Sequence, residues 1–401
     1  MGYKLDDVLV IGGGPVGSRV AAGLANSGYR VKVLEQDSQE GERKCCTGLV
    51  GLECVKRFAI TAESVIRPLN SAVFHSPGGK EIKLEREGAQ AYVLNRYSLD
   101  RALVREAGKK GTEYIFSCKV TNAIGIDGHV QVDTIYGGEE RSFNARSIVL
   151  ASGFSPMLAE KLGLGKVRDY TVGAQAEVEI TSVRDVEIHF SRNFAPGFFA
   201  WVVPTASPRA LVGLMARKNA KQHLKKFLMQ LYGEGKINDF NVDIQCGVVP
   251  LRPLERSYGK SILAVGDAAG QVKPTTGGGI YYGLLCADIA TKVLVNSFEH
   301  GDLTAKRLSR YQSEWKKALG SELRMGYLAR QVYERLSDSK VDELFDVIKD
   351  YSLDKTTLNL PGFSFDWHGD ILRNALSHSA VRSVLGVVLR GLFSGDNKKT
   401  S

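Results

Sequence analysis

The chain has 401 residues, of which 43% are hydrophobic and 24% charged, with 43 glycines. That balance excludes a disordered chain and predicts two or three units of a turn-rich α/β protein around a large core. The formal net charge is +9, but Lys and Arg are spread along the chain. No basic block with interleaved aromatics marks a nucleic-acid face, which leaves an anionic membrane surface or acidic ligands as the partners a basic balance would suit.

The six cysteines, Cys45, Cys46, Cys54, Cys118, Cys246 and Cys286, form no CxxC pair. No zinc or iron–sulfur site is therefore expected. No leader is read ahead of the first strand, so free thiols in a reducing cytosol are the expectation. No run of about 18 apolar residues is present, so no spanning helix is expected.

In chain order, Val8–Ile11 is a compact apolar strand, followed by Gly12-Gly13-Gly14-Pro15-Val16-Gly17. A helix through Val20, Ala21, Leu24 and Ala25 ends at Gly28, and Val31–Leu34 is a second strand closed by Glu35. Glycines at 12, 14 and 17 allow a tight turn, close approach of a pyrophosphate and helix–strand packing. Glu35 stands where a carboxylate binds the adenosine ribose. Strand, glycines, helix and acid together are strong for a dinucleotide, without separating FAD from NAD.

The polar segment Gly41-Glu42-Arg43-Lys44-Cys45-Cys46-Thr47-Gly48 follows. A Cys46 thiol beside Arg43 and Lys44 is expected to ionise more readily than a free one. It is either chemically active or a small packing residue. Val73–His75 and Lys80–Leu84 around Ser76–Gly79 predict a hairpin. Asn95 opens a helix through Leu103, Val104 and Ala107, and Tyr114–Val120 reads as one strand. Val130–Ile135 and Arg141–Phe143 suit a meander, and Ala145–Ala151 is a separate buried strand before Ser152-Gly153.

From Tyr170 the pattern changes. Val172–Ile180, Val186–Phe190, Gly197–Pro204 and Ala210–Leu214 predict an antiparallel sheet, and Lys221–Tyr232 an amphipathic helix. Ser261–Val265 is an apolar strand ending at Gly266, with Asp267 at its exit to accept hydrogen bonds from sugar-like hydroxyls. Gly277, Gly278 and Gly279 then open a helix over about Gly279–Phe298. Without Cβ atoms, a ligand can approach the unpaired N–H groups of that helix start, which favour negative charge. The pairing reads as a cradle for a polyhydroxylated, partly anionic ligand. Helices follow, among them Asp342–Tyr351 and Ser379–Phe393. In the latter Val381, Val384, Leu385, Val388 and Leu392 share one face, Arg382 and Arg390 lie off it, and the tail Asn397-Lys398-Lys399 follows. This last helix suits docking on the protein or a membrane surface.

The string GDAAGQVKPTTGGGIYYG, from Gly266 to Gly283, resembles the second flavin-binding segment of the geranylgeranyl reductase family of FAD-dependent oxidoreductases, most closely its archaeal lipid-saturating members. The resemblance implies a ribityl contact at Asp267 and a turn facing the flavin pyrimidine at Gly278, Gly279 and Ile280. With FAD as cofactor, Gly12, Gly14, Pro15, Val16, Gly17 and Glu35 take the dinucleotide half. The segment Lys44–Gly48 resembles the family's Lys-x-Cys-Gly-Gly loop, with Thr47 in place of the first glycine; Cys46 and Thr47 are then cofactor contacts, and Cys46 the candidate proton source. Arg96 matches the family's cofactor-contacting Arg, and Val120 its backbone contact to adenine. Phe199-Ala200-Trp201-Val202-Val203-Pro204 resembles the family's Tyr-x-Trp-x-Phe-Pro motif, which makes Phe199, Trp201 and Pro204 substrate contacts.

The implied fold is a Rossmann-type FAD-binding domain (para-hydroxybenzoate-hydroxylase-like) over 1–70, 92–168 and 246–300. An interleaved antiparallel-sheet substrate domain covers 71–91 and 169–245, and a helical C-terminal region 301–401. The implied activity is flavin-dependent saturation of geranylgeranyl chains of membrane ether lipids. A transient donor (reduced ferredoxin, another small carrier or NAD(P)H) supplies electrons, at a peripheral site on the cytoplasmic face of the inner membrane. Two other readings stay open. One is a group-A flavin monooxygenase or halogenase, whose Trp-x-Trp-x-Ile-Pro loosely matches Phe199–Pro204 but whose Asp-Gly is broken at Ser152. The other is a flavin-stabilised prenyl-lipid carrier.

Overall fold

The computed structural model describes residues 5–39, 45–126, 128–358 and 363–394. Its centre is a parallel sheet that the first fingerprint predicts: Asp6–Ile11 lies between Val31–Leu34 and Glu139–Leu150, with Glu113–Ile115 and Ile262–Ala264 flanking. Asp6–Ile11, Val31–Leu34 and the end of Glu139–Leu150 are largely buried on both faces, which is why they read as continuous apolar runs. On one face pack the helices Pro15–Asn26, Ile280–Glu299 and Ala305–Glu334, through Val20, Leu24, Tyr281, Leu284, Trp315 and Leu319. On the other lies a meander of Cys118–Ile126 and His129–Tyr136 against the outer half of Glu139–Leu150.

Two strand expectations change here. Tyr114–Val120 is two strands, broken at Ser117, whose φ of +53° turns the chain. Arg141–Phe143 and Ala145–Ala151 are one strand, Glu139–Leu150, which pairs with the meander at its start and with the parallel core at its end. A change of partner along one strand is a tertiary event that local pattern does not record.

The second sheet has seven strands, in the order Gln245–Pro250, Tyr170–Glu179, Arg209–Ala216, Ala200–Pro204, Val186–His189, Ser71–His75 and Glu81–Glu85. The hairpin predicted at Val73–Leu84 is present. It joins this sheet through a parallel pairing, Val186 opposite Ala72 and His189 opposite His75, so the sheet is not wholly antiparallel. The strand expected from Gly197 begins at Ala200. The helix Ala220–Gly233 covers one face through Leu224, Phe227, Leu228 and Leu231. A small sheet of Leu49–Gly51, Ala91–Leu94 and Val65–Leu69, not expected from sequence, joins the two large ones.

The helix expected at Asp342–Tyr351 starts at Asp338, capped by Ser337. The helix Ser379–Ser394 docks: Val381 and Leu385 are buried with Val341 and Phe345, and Arg382 is exposed. The side chains of Arg390 and Leu392, and the tail 397–399, lie outside the described residues, as do Arg43 and Lys44. Among the described residues no helix is long and apolar enough to cross a membrane.

Candidate active site

The two glycine segments meet at the carboxyl ends of the parallel strands, the crevice where doubly wound sheets bind ligands. At the first, Gly12 has φ of +104°, and a Cβ there would lie 2.5 Å from the Ala151 carbonyl. A Cβ on Gly17 would lie 2.0 Å from the Gly12 carbonyl, so this position closes the turn onto its helix. Gly14 has open space where its Cβ would stand. Pro15 starts the helix, where its missing N–H costs nothing. Val16 packs on Gly266 and Gly283, so its side chain fastens the first fingerprint to the second. Glu35 is buried and accepts from Gly13 N at 2.5 Å and Asp37 N at 2.9 Å. Cys118 N and Ser117 N bond to the carbonyls of Glu35 and Asp37, which brings the segment leading to Val120 beside Glu35. Val120 itself pairs with Thr134 beside a bulge in the meander.

At the second segment, Gly279 precedes the helix Ile280–Glu299 with no side chain capping its first N–H groups. A Cβ on Gly279 would lie 2.4 Å from Asp267 Oδ1, so glycine is what lets the carboxylate lie across the helix start. Burial raises the Asp267 pKa, and the Arg96 cation opposes that shift. Gly277, with φ of +74°, rests on Met215 and Val249 of the second sheet. Gly278 stands over the Lys273 stem.

Arg96 is the first residue of a helix capped by Asn95. Its Nη2 donates to Asp100 Oδ1 at 3.1 Å, and the guanidinium lies near enough to Cys46 for the two to interact electrostatically. Burial alone would lower the Arg96 pKa; Cys46 and Asp100 outweigh it and the net shift is upward. A cation facing Cys46 is therefore Arg96, some fifty residues along the chain; Arg43 and Lys44 lie outside the described residues. The adjacent Cys45 is different: burial pushes its thiol up to about 12, and its Sγ lies 3.5 Å from the Gln245 carbonyl. Thr47 donates to Gln175 Oε1 at 2.7 Å. Gly48 has φ of +69°, with the Leu94 carbonyl 2.5 Å from where a Cβ would be, so that position keeps its glycine for steric reasons.

Strand alternation puts Phe199, Trp201 and Val203 on one face and Ala200, Val202 and Pro204 on the other. Phe199 and Trp201 meet at 6.1 Å between ring centroids and join Phe198, Met215 and Leu251. Pro204, expected beside them, is buried on the opposite side of the strand. Trp201 lies so close over Gly213 that a Cβ there would be 2.5 Å from the indole. Met215 touches both this aromatic wall and the cradle turn at Gly277, so the wall borders the ring end of the crevice.

Sequence reasoning missed Met215, Gln175 and Val249, which carry no local motif. It also read Ser152 only as a lost Asp; its hydroxyl is buried without a partner, and its Cα lies 2.8 Å from where a Cβ on Gly12 would be. Arg96 Nε and Trp201 Nε1 are likewise buried and unpartnered. Orphaned donors bordering the crevice, open space at Gly14 and an uncapped helix start fit an extended dinucleotide with a flavin at the Gly278 end. Away from this crevice, His75, Glu187 and His189 could face one cation, but the Lys236 ammonium already lies 3.0 Å from Glu187 Oε2.

A family model described as lycopene cyclase protein matches residues 7–342. The chain is 30% identical over 358 residues to the digeranylgeranylglycerophospholipid reductase of Methanocaldococcus jannaschii, covering 85% of this chain and 90% of that protein. It is 31% identical over 360 residues to digeranylgeranylglycerophospholipid reductase 2 of Methanopyrus kandleri, with the same coverage. Among solved structures it is similar to a geranylgeranyl bacteriochlorophyll reductase-like protein from Thermoplasma acidophilum. The TM-score is 0.83 at 22% identity, over 96% of this chain and 99% of that one.

Proposed function

The chain belongs to the geranylgeranyl reductase family, and from that premise we propose that it saturates carbon–carbon double bonds of geranylgeranyl chains on membrane ether lipids, with FAD as its cofactor. The observation that carries the reading is the close fit of Asp267 across the uncapped helix start at Gly279, with the Arg96 stem against Gly48 of the Cys46–Gly48 segment and Phe199 and Trp201 bordering the same end. Gly12, Gly14 and Gly17 admit the pyrophosphate, Glu35 the adenosine ribose and Asp267 the ribityl hydroxyls. When bound and reduced, FAD supplies a hydride to one alkene carbon.

The protein's own part is alignment, exclusion of water and a proton. The N–H groups at Ile280 stabilise negative charge at the pyrimidine edge. The Cys46 Sγ–H gives its proton to the second alkene carbon, and the Arg96 guanidinium stabilises the thiolate left behind. Phe199 and Trp201 supply the apolar surface along which the isoprenoid chain lies. Electrons come from a transient donor, a reduced ferredoxin or other small carrier or NAD(P)H. The amphiphilic substrate and the charge of +9 support a peripheral position on the cytoplasmic face of the membrane.

An anaerobic assay tests this: purified protein, chemically reduced FAD and a digeranylgeranyl lipid, with product masses read for added hydrogen pairs. Unchanged lipid on a flavin-loaded protein refutes it. Cys46→Ser should slow saturation about a hundredfold with lipid binding retained; unchanged turnover removes the thiol from the proton step.

A further inference from the structure

Residues 363–368, ahead of the helix Gly369–Ser377, lie far from both fingerprints in sequence, yet their side chains converge on the cradle. Asp366 is fully buried. Its carboxylate accepts from Lys273 Nζ at 2.9 Å, Gly51 N at 3.2 Å and Cys54 N at 3.4 Å. Lys273, 4% exposed, also donates to the Phe365 carbonyl. Its backbone closes the cradle loop twice: Lys273 N donates to Gly278 O, and Gly277 N to Lys273 O. The fit at the other end is equally tight, since a Cβ on Gly51 would lie 2.2 Å from Asp366 Oδ2. His368 adds a second tie. Its Nε2 faces the Phe365 carbonyl at 3.0 Å, which can only accept, so Nδ1 is left to accept from the Thr275 hydroxyl at 2.7 Å. Trp367 donates to Glu53 and packs edge-on against Tyr281 and tilted against Tyr282 of the cradle helix.

One buried anion thus joins the strand that follows Cys46–Gly48 to the glycine turn at Gly277–Gly279. Those are two of the segments assigned above to contacts with the flavin. A buried carboxylate with one ammonium partner and two backbone donors is costly to disrupt on either side.

We infer that residues 363–368 form a strap belonging to the cofactor site, with Asp366 and Lys273 as positioning residues that hold the glycine turn against the ring's pyrimidine edge. The inference rests on the FAD reading. The Lys273 stem lies under Gly278, so its ammonium contributes to the potential there, and Asp366 balances it. Removing either partner loosens the turn, but the two removals leave opposite charges beside the ring.

The test uses the full chain, stripped of flavin and titrated with FAD, with the midpoint potential of the bound flavin read by dye-linked reduction. The variants are Asp366→Asn, Lys273→Met, the double variant and Thr275→Val. Each of the two single charge variants should bind FAD about tenfold more weakly. Asp366→Asn should shift the potential upward and Lys273→Met downward, and the double variant should return toward wild type. Unchanged FAD affinity, or potentials that all move the same way as from simple loosening, overturns the assignment. A wild-type chain that binds no FAD overturns the function reading and this one with it, whereas FAD-loaded wild type beside unaffected variants sinks only the strap. If the single charge variants do not fold, the charge-balanced double variant and Thr275→Val decide: both should still bind FAD more weakly than wild type.

Discussion

Acidification should release the strap through His368. In the folded protein burial, reinforced by the Lys273 cation, pushes this imidazole down to about 4 from an ordinary 6.5. Its Nδ1 is committed to accepting from Thr275, so a proton there also breaks a hydrogen bond. Between those two pH values the unfolded chain binds more protons than the folded one, and stability rises with pH. His368 therefore contributes fully above pH 6.5, and the contribution is lost as pH falls toward 4. The gap is worth at most about 3 kcal/mol, with about 2 kcal/mol gone by pH 5. Part of the side chain keeps solvent contact, which brings the expected loss at pH 5 to about 1–2 kcal/mol. Burial depresses His75 and His223 as well, so the measurement has to be differential. Urea unfolding of wild type and His368→Gln at pH 7.5 and pH 5, with hydrogen exchange read at residues 363–369, isolates the term. Wild type should lose about 1–2 kcal/mol more than the variant, and protection of the strap should fall first. Equal losses in the two proteins would refute the reasoning.

Gly279→Ala drives a methyl to within 2.4 Å of Asp267 Oδ1 and should displace that carboxylate. FAD affinity, read by fluorescence titration, should fall about tenfold or more, and urea unfolding of the flavin-free protein should show a loss of about 1–3 kcal/mol from the overpacking; unchanged affinity would remove Asp267 from the cofactor contact. Gly213→Ala pushes on the Trp201 indole from beneath. It should alter the preference among prenyl chain lengths in the anaerobic assay with flavin affinity unchanged, and equal preference would separate Trp201 from the substrate.

The nucleotide half of the crevice was legible because its chemistry is local. A strand, three glycines, a helix start and Glu35 fall within some thirty residues, and each constrains the next. The cradle was legible for the same reason, from Gly266 to Ile280. The partner of Cys46 was not. Arg96, which the fold brings to the sulfur, stands at the N-terminus of a helix some fifty residues on, and no local pattern links the two. Pro204 was grouped with Trp201 as a motif, yet a strand turns alternate residues to opposite faces. Met215 and Asp366 have no signature at all, since an apolar strand residue and an acid in a late loop become site residues only through contacts made at long range. The docked face of Ser379–Ser394 shows the converse, an amphipathic pattern that reads equally for a membrane or a neighbour until Val341 and Phe345 are seen to cover it.

The parallel pairing of Ser71–His75 with Val186–His189 also bears on how the chain assembles. Ser71 and Asp185, hydrogen-bonded across that junction, are 114 residues apart. Closing such a loop costs about 4 kcal/mol of chain entropy before any strand contact forms. Emerging from the ribosome, the hairpin Ser71–Glu85 has both outer edges open and no sheet to join until more than a hundred further residues have been made. Its first strand carries Ala72, Val73 and Phe74, so the nascent chain exposes an apolar edge for several seconds at ordinary elongation rates. Slow steps in refolding, and aggregation on overexpression, should trace to this junction and to the pairing of Asp6–Ile11 with Glu139–Leu150, which closes a comparable span of chain, whereas Asp6–Ile11 and Val31–Leu34 meet within the first forty residues.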